Sequence, residues 1–190
     1  NSAEARLRFY ASRFGLAEVD SSYYALPSAE NAYLWAQRTP DDFVFNIKAY
    51  RLFTGHQTPL TALPADIRQE LGDWPEPVIY HRGMPDDLRD ELWRRYTLAL
   101  EPLRMADKLG AVHFQFPPWV QRDARGMALV ADCVRRLEDH LVSVEFRHRS
   151  WFATPAATAA TLAMERELGV VHTVVDAPQG FDNSVPAVWE

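Results

Sequence analysis

Ionisable and amide side chains recur at alternate positions near the ends of apolar runs in this sequence. Asn46 and Lys48 lie two residues apart in FVFNIKAY, and Glu145 and Arg147 are spaced in the same way in LVSVEFRHR. Side chains alternate across a strand, so the members of each pair point to the same face. Ionisable groups in a sheet buried on both sides are costly unless they are paired or functional. The spacing therefore predicts a polar site where these strands end.

Cations and carboxylates both belong to this predicted site. Lys48, Arg51 and Arg147 are expected to hold an anion, since planar guanidinium groups suit bidentate recognition of carboxylate or phosphate. Glu145 or Asp176 is expected as general acid or base, since a partly dry environment can raise a carboxylate pKa. A nearby cation is also expected to hold the Glu145 carboxylate ionised. The residues predicted to be catalytic are Glu145, Asp176 and Lys48. Those predicted to bind substrate are Asp20, Asn46, Arg51, His56, Gln115, Arg147, His148, Trp151 and Gln179.

Other interpretations of the same residues stay open. Glutamate and lysine at strand ends can form ion pairs that only brace the core, and structural networks also perturb ionisable groups. No cofactor is expected, and a catalytic metal is the less favoured alternative because no H-x-H or H-E-x-x-H spacing occurs. A serine or cysteine nucleophile is weaker still. There is no G-x-S-x-G, and Cys133 lies within a helical pattern.

Five short apolar runs alternate with helical patterns and must position these groups. The strands are expected at Ala17–Asp20, Phe43–Lys48, Ala111–Phe116, Leu141–Arg147 and Val170–Asp176. Such alternation predicts βαβ crossovers and a parallel sheet. Because no G-x-G-x-x-G or G-x-x-x-x-G-K occurs and every strand exit is polar, a TIM-type (β/α) barrel is favoured over an open nucleotide-binding sheet. About five of its eight strands are visible, so the predicted barrel is incomplete.

One segment interrupts this alternation. Residues 54–85 contain five prolines and read as an irregular insertion, with a short helix at Ala65–Leu71. Long loops in compact domains are often functional or mobile, and a surface insertion without a role is the alternative. Residues 1–190 are otherwise expected to form a single domain.

Composition limits the classes of partner. The chain has 190 residues and a net charge of −6, which argues against a protein that coats nucleic acid. A single cysteine excludes an internal disulfide and predicts a reducing, cytoplasmic location. No apolar run approaches the roughly 18 residues of a membrane span. The expected partner is an anionic small molecule or nucleotide-like ligand, with no membrane and no strong sign of nucleic acid.

Four ordered blocks carry a family resemblance. The segments YYALPSAENAYLWAQRTPDDFVFNIKAYRLFTGH, LGAVHFQFPPW, VEFRHRSWF and VVDAPQGFDNSVPAVWE resemble the successive blocks of the YecE-like family, also called domain of unknown function 72. The resemblance implies a TIM-type barrel and no particular reaction. Relative to that family the chain looks truncated at both ends, lacking a first strand and two later ones.

Two functions follow from these expectations. The first is an enzyme, a hydrolase or lyase as best guess, acting on a phosphate- or sugar-bearing anionic substrate at the carboxyl-terminal mouth of the barrel. The second is a non-catalytic module that binds an anion or a nucleic-acid end through the same pocket. A free Glu145 in a cavity favours the first function, and a Glu145 closed in an ion pair favours the second.

Overall fold

The computed structural model describes residues 2–181 and 184–189, over which helices and strands alternate. The helices are α1 (Ala3–Ala11), α2 (Ser21–Tyr24), α3 (Ala29–Gln37), α4 (Ala65–Leu71), α5 (Asp86–Met105), α6 (Ala124–Arg135) and α7 (Pro155–Leu168). The strands are β1 (Leu16–Val19), β2 (Val44–Lys48), β3 (Thr58–Pro59), β4 (Val78–Ile79), β5 (Leu109–Phe116), β6 (Val142–Phe146) and β7 (Val171–His172). Short 3₁₀ turns lie at Leu60–Ala62, His81–Gly83 and Arg149–Trp151.

A five-stranded parallel sheet forms the centre of the fold. Its strand order is β1-β2-β5-β6-β7, and each of its pairings is parallel. The predicted α/β architecture, with consecutive parallel strands, is therefore confirmed. Over the described residues β1 and β7 are edge strands and the sheet is open, so the TIM-type barrel stays a prediction.

The last predicted strand is much longer than the observed one. The pattern predicts a strand to Asp176, whereas β7 ends at His172 and its segment makes a final ladder bond from Thr173 N to Val144 O at 2.9 Å. Val174 and Val175 then line cavities instead of extending the ladder. Strand propensity reports side-chain preference, while a strand also needs a backbone partner along its length.

Gly110 marks a close approach between two strands and does not end a helix. The preceding helix α5 already stops at Met105, and Gly110 lies inside β5. A Cβ at Gly110 would lie 2.3 Å from Asn46 Oδ1, so only glycine fits there. The same Asn46 oxygen accepts a hydrogen bond from Ala111 N at 2.8 Å, where the β2–β5 register shifts. Asn46 thus satisfies a backbone donor that this irregularity would leave unpaired.

The two faces of the sheet differ in chemistry. Alternate residues on one face are apolar, buried and packed with the helices. They are Phe45, Ile47, Val112, Phe114, Phe116, Val142, Val144 and Phe146. Stacked rings join this face to the helical layer, as in Trp93 on Phe114 with centroids 6.2 Å apart. The intervening residues carry the polar groups of the predicted site on the other face.

The insertion at 54–85 is folded. β3 and β4 form an antiparallel pair, and the predicted helix is observed as α4 (Ala65–Leu71). Ile67 and Ile79 are each 1% exposed and belong to the same hydrophobic core as the sheet. Burial of these apolar side chains holds residues 54–85 in place on the rest of the fold.

Candidate functional site

Polar residues occupy two adjacent rows across the central strands. Lys48, His113 and Ser143 are aligned on β2, β5 and β6, and Gln115 is aligned with Glu145 one step closer to the carboxyl ends. These side chains line a cavity of ≈ 770 Å³ on the face opposite the helices, here called the sheet cavity. Glu18, Asp20, Asn46 and Arg147 also line it. Parallel register therefore assembles in space what the sequence spreads over 130 residues, from 18 to 147.

Glu145 lies at the centre of a hydrogen-bonded cluster. Gln115 Nε2 donates to its Oε1 at 2.7 Å, and Arg147 Nε donates to the same oxygen. His113 Nε2 lies 3.2 Å from its Oε2. The carboxylate is only 7% exposed, yet both of its oxygens have donors. A buried charge is tolerated when it is paired and hydrogen-bonded in this way.

The pKa of Glu145 is lowered, contrary to the expectation of a raised one. Burial by itself raises this pKa, but the hydrogen bonds from His113 and Gln115 and the charge of Arg147 outweigh it and bring the pKa to about 2. A raised pKa was expected from desolvation, whereas the expectation that a nearby cation keeps Glu145 ionised agrees with the contribution of Arg147. Glu145 is consequently an ionised carboxylate at neutral pH.

His113 and Ser143 extend the cluster and were not among the predicted site residues. An ionised Glu145 can only accept, so His113 Nε2 carries the hydrogen. In the neutral imidazole, Nδ1 is then an acceptor for the hydroxyl of Ser143, 3.0 Å away. Their period-2 alternation with Gln115 and Glu145 was the signal in the sequence, since both lie on the polar face.

Lys48 forms an ion pair with Asp20 at the end of β1. The Lys48 Nζ to Asp20 Oδ1 distance is 3.1 Å, and the lysine side chain is 17% exposed. Lys48 Nζ and the Arg51 guanidinium carbon lie 5.7 and 5.1 Å from the centroid of Tyr23. Two cations therefore approach one aromatic ring at this edge of the sheet, each within the distance of a cation–π contact.

A second cavity of ≈ 450 Å³ opens beyond the strand ends and is here called the mouth cavity. Gln115 and Arg147 line both cavities, and His56 lines the mouth cavity alone. His56 Nδ1 lies 2.7 Å from Thr54 Oγ1. Burial, and then the charges of Arg51 and Lys48, lower the pKa of His56 to about 4. The imidazole is thus neutral at pH 7 and lies in a positive local field.

Apart from Arg51, which lies against the Tyr23 ring without lining either cavity, four predicted site residues lie away from both cavities. Trp151 is 0% exposed, stacks on Phe146 with centroids 3.9 Å apart, and donates its indole N–H to Val120 O at 2.9 Å. It is a core residue, and its predicted contact with substrate is wrong. An aromatic residue at a strand exit packs under a helix as readily as it faces a ligand.

The other three serve local backbone structure or face solvent. His148 Nδ1 accepts from Ser150 N at 3.1 Å and caps a 3₁₀ turn. Gln179 Nε2 donates to Ala177 O at 2.9 Å and to Val185 O at 3.0 Å, which holds a loop together. Asp176 is exposed beyond β7 and is not part of the lining of either cavity. The structure therefore does not bring Asp176 to Glu145.

Within residues 2–181 and 184–189, no group of three or more His, Cys, Asp or Glu side chains is arranged as a metal site. Across the same residues, no helix has the length and apolarity needed to cross a membrane.

The fold and site define an α/β protein with a polar cluster at the carboxyl ends of a parallel sheet. The family model described as protein of unknown function DUF72 matches residues 1–190, and the chain belongs to that family. The resemblance noted in the four sequence blocks is thereby confirmed.

Similar proteins support the same assignment. The UPF0759 protein YunF of Bacillus subtilis is 33% identical over 186 residues, covering 98% of this chain and 57% of that protein. A DUF72 family protein from Enterococcus faecalis has a similar structure, with a TM-score of 0.74, 23% identity, and coverage of 99% of this chain and 65% of that one. A DUF72 family protein from Thermotoga maritima gives a TM-score of 0.65 at 21% identity, covering 99% and 61%. The chain thus spans 57 to 65% of the length of these relatives.

Proposed function

We propose that the chain binds a small anion bearing phosphate or carboxylate at the carboxyl ends of β2, β5 and β6, and that it acts as an enzyme on the compound carrying that anion. Lys48, Arg51 and Arg147 supply the positive charge. Carboxyl ends of parallel strands are where α/β proteins most often bind ligands.

Arg147 is the observation that carries the proposal. Its Nε is bonded to Glu145, its side chain remains 44% exposed, and it lines both cavities. With the described residues, neither terminal nitrogen of its guanidinium makes a hydrogen bond. An arginine anchored through Nε by a buried carboxylate presents its other edge in a fixed direction, which suits bidentate binding of phosphate or carboxylate.

The local field supports the same ligand. The pKa of His56 is lowered first by burial and then by the charges of Arg51 and Lys48, so two cations act on this residue of the mouth cavity. This occurs in a chain whose net charge is −6. A concentrated positive site in an acidic protein selects anions locally and repels them elsewhere.

Roles in catalysis follow from protonation states. With its pKa near 2, Glu145 is a weak base at neutral pH, and its proposed role is to orient Arg147 and His113. His56 is unprotonated at pH 7 and lines the mouth cavity, so it is the proposed general base. Lys48 is the proposed electrophilic group. Hydrolysis or elimination at a phosphate- or sugar-bearing compound fits this set.

The test is a calorimetric titration of the chain with inorganic phosphate and with sulfate. Replacing Arg147 with Gln should weaken binding by about 10- to 100-fold, because charge-assisted hydrogen bonds contribute about 1.5–3 kcal/mol. The control is Arg104→Gln, which removes a surface arginine paired with Glu101 at 2.7 Å and 52% exposed. It should leave binding unchanged. Equal loss in both variants would show only a general charge effect and would contradict a specific Arg147 site.

A non-catalytic module that binds an anion or a nucleic-acid end is the second candidate. The observation in its favour is the closed cluster around Glu145, whose oxygens both already have donors. Turnover separates the two functions. If phosphate binds and yet phosphate esters and glycosides are not turned over by the chain, the second candidate replaces the enzyme.

A further inference from the structure

One wall of the mouth cavity is apolar, and a bare inorganic anion gives no reason for it. Arg147, Gln115 and His56 form the polar side, whereas Pro117 and Pro118 form part of a largely apolar side. Phosphate or sulfate alone would use the cations and leave the apolar wall exposed to water. A cavity with both kinds of wall suits an organic molecule that carries an anionic group at one end.

Trp119 follows Pro118 of this apolar wall directly in the chain and is anchored through its indole nitrogen, although it is not itself part of the cavity lining. It follows Pro117 and Pro118 in a turn closed by Val120 N to Pro117 O at 2.9 Å. Its indole Nε1 donates to Gly55 O at 3.1 Å, and its ring contacts the edge of His56 with centroids 5.8 Å apart.

The ring of Trp119 is nevertheless 55% exposed. Single exposed aromatics are common on protein surfaces and need no explanation by themselves. Trp119 differs because its indole N–H is hydrogen-bonded and its ring contacts His56, a residue of the cavity wall. An exposed indole whose N–H is already bonded offers its ring face as a packing surface for a bound ring.

Size fits the same ligand class. The mouth cavity measures ≈ 450 Å³, within the range of about 300–1,000 Å³ typical of small-molecule sites. That volume takes a phosphorylated five- or six-membered ring and is larger than a free phosphate needs.

We infer that the mouth cavity binds a phosphorylated sugar, free or within a nucleotide, with its phosphate on Arg147 and its ring against Trp119 and the Pro117–Pro118 wall. This inference rests on the proposed function, because Arg147 is the anion-binding group in both. It adds the substrate class and assigns Trp119 to the site.

The experiment compares binding of inorganic phosphate, ribose 5-phosphate, adenosine monophosphate and ribose by calorimetry. Ribose 5-phosphate should bind about tenfold more tightly than phosphate, since its ring buries apolar surface against Trp119 and the Pro117–Pro118 wall that phosphate cannot cover. Ribose alone should bind too weakly to measure. Adenosine monophosphate binding more tightly than ribose 5-phosphate identifies a nucleotide, and equal or weaker binding identifies a free sugar phosphate.

Three variants test whether Trp119 causes the tighter binding of ribose 5-phosphate relative to phosphate. Trp119→Ala should lose most of the sugar-dependent gain in ribose 5-phosphate affinity, because it removes the ring that covers the sugar, while phosphate affinity is unchanged. Trp119→Phe keeps an aromatic face and should retain most of the sugar-dependent gain, which guards against loss of folding in the alanine variant. Tyr33→Ala removes another aromatic that is 55% exposed, on α3, and should change neither affinity.

The failures of the two proposals are distinguishable. If phosphate binds and ribose 5-phosphate binds no more tightly, the sugar subsite is wrong and the anion site stands. If the sugar-dependent gain survives Trp119→Ala, the assignment of Trp119 is overturned. If neither phosphate nor ribose 5-phosphate binds, both proposals fall together.

Discussion

The two faces of the central sheet are built from the same strands, but one face packs into the apolar core and the other carries the polar cluster. On β5, Phe114 points to the helices and is 0% exposed, while the adjacent Gln115 points to the cavities and bonds to Glu145. On β6, Val144 and Glu145 divide in the same way, and both are buried. Residues one position apart therefore belong to different environments, an apolar core and a polar cluster.

This comparison shows that burial alone does not distinguish structure from function here. Glu145 is 7% exposed and Phe146 is 1% exposed, so depth hardly separates them. What separates them is the partner. The apolar face is held by ring and aliphatic contacts that need no direction, whereas the polar face requires each donor to meet an acceptor. Substitutions on the two faces should consequently fail in different ways.

The largest expected effect is on the apolar face. Phe114→Ala should lower the free energy of unfolding by about 3–5 kcal/mol, because it removes a ring that contacts Trp93 and Phe116 and leaves a cavity. Gln115→Ala, the neighbouring change on the other face, should lower it by about 1.5–2 kcal/mol, because it removes a hydrogen bond to the charged Glu145 while Arg147 still donates to the same oxygen. Urea unfolding of both variants measures the difference. Similar losses in the two would mean that the faces are not distinct.

The second prediction concerns Glu145 and pH. Its folded pKa of about 2 lies below the ordinary value of 4.5, so the ionised form stabilises the fold above pH 4.5, and this stability is lost as the pH falls towards 2. The shift corresponds to on the order of 3 kcal/mol. Glu145→Gln should therefore be less stable than the wild type at pH 7, with the gap closing as the pH falls to 2. Chemical unfolding at several pH values measures this gap.

A gap that stays constant with pH would contradict the lowered pKa of Glu145. Activity gives a separate reading once a substrate is found. If Glu145→Gln lowers activity by about 100-fold or more at a temperature where the variant is folded, Glu145 also takes part in the reaction and does not only stabilise the fold.

The smallest predicted effect separates two histidines. Burial is the first cause that lowers the pKa of both His56 and His81, to about 4 in each, but only His56 lines a cavity. Since the unfolded chain takes up these protons first, both residues reduce stability as the pH falls from about 6.5 to 4. Saturating phosphate should raise the pKa of His56 by about one unit and leave His81 unchanged. NMR titration of the two imidazoles with and without phosphate gives the result, and equal shifts would place the anion elsewhere.

Much of the fold could be predicted from local pattern. Strands β1, β2, β5 and β6 lie within two residues of their predicted bounds, because alternating apolar residues define both the strand and its buried face. The end of β7 could not be predicted from Val174 and Val175, whose propensity is that of a strand but which lie beyond the ladder. The close approach at Gly110 could not be predicted either, since it depends on Asn46 of another strand.

The site was determined by the sequence only in part. Period-2 spacing by itself determined that Lys48, Gln115, Glu145 and Arg147 face away from the helices, because side-chain direction along a strand is a local property. Whether such a residue binds a ligand is not a local property of the sequence. Trp151, Lys48 and Lys108 illustrate this, since the first is sealed in the core and the two lysines have different partners.

Tertiary structure alone decided those partners. Lys108 is 4% exposed, and its ammonium donates to Ala36 O at 2.7 Å and Thr39 O at 2.8 Å, so it caps a helix. Lys48 pairs with Asp20 beside the sheet cavity. The charge state of Glu145 was decided in the same way, because its pKa depends on donors up to 32 residues away along the chain. Hydrogen bonds and ion pairs act over a few ångströms, and only the packed register of β2, β5 and β6 determines which groups come within that distance.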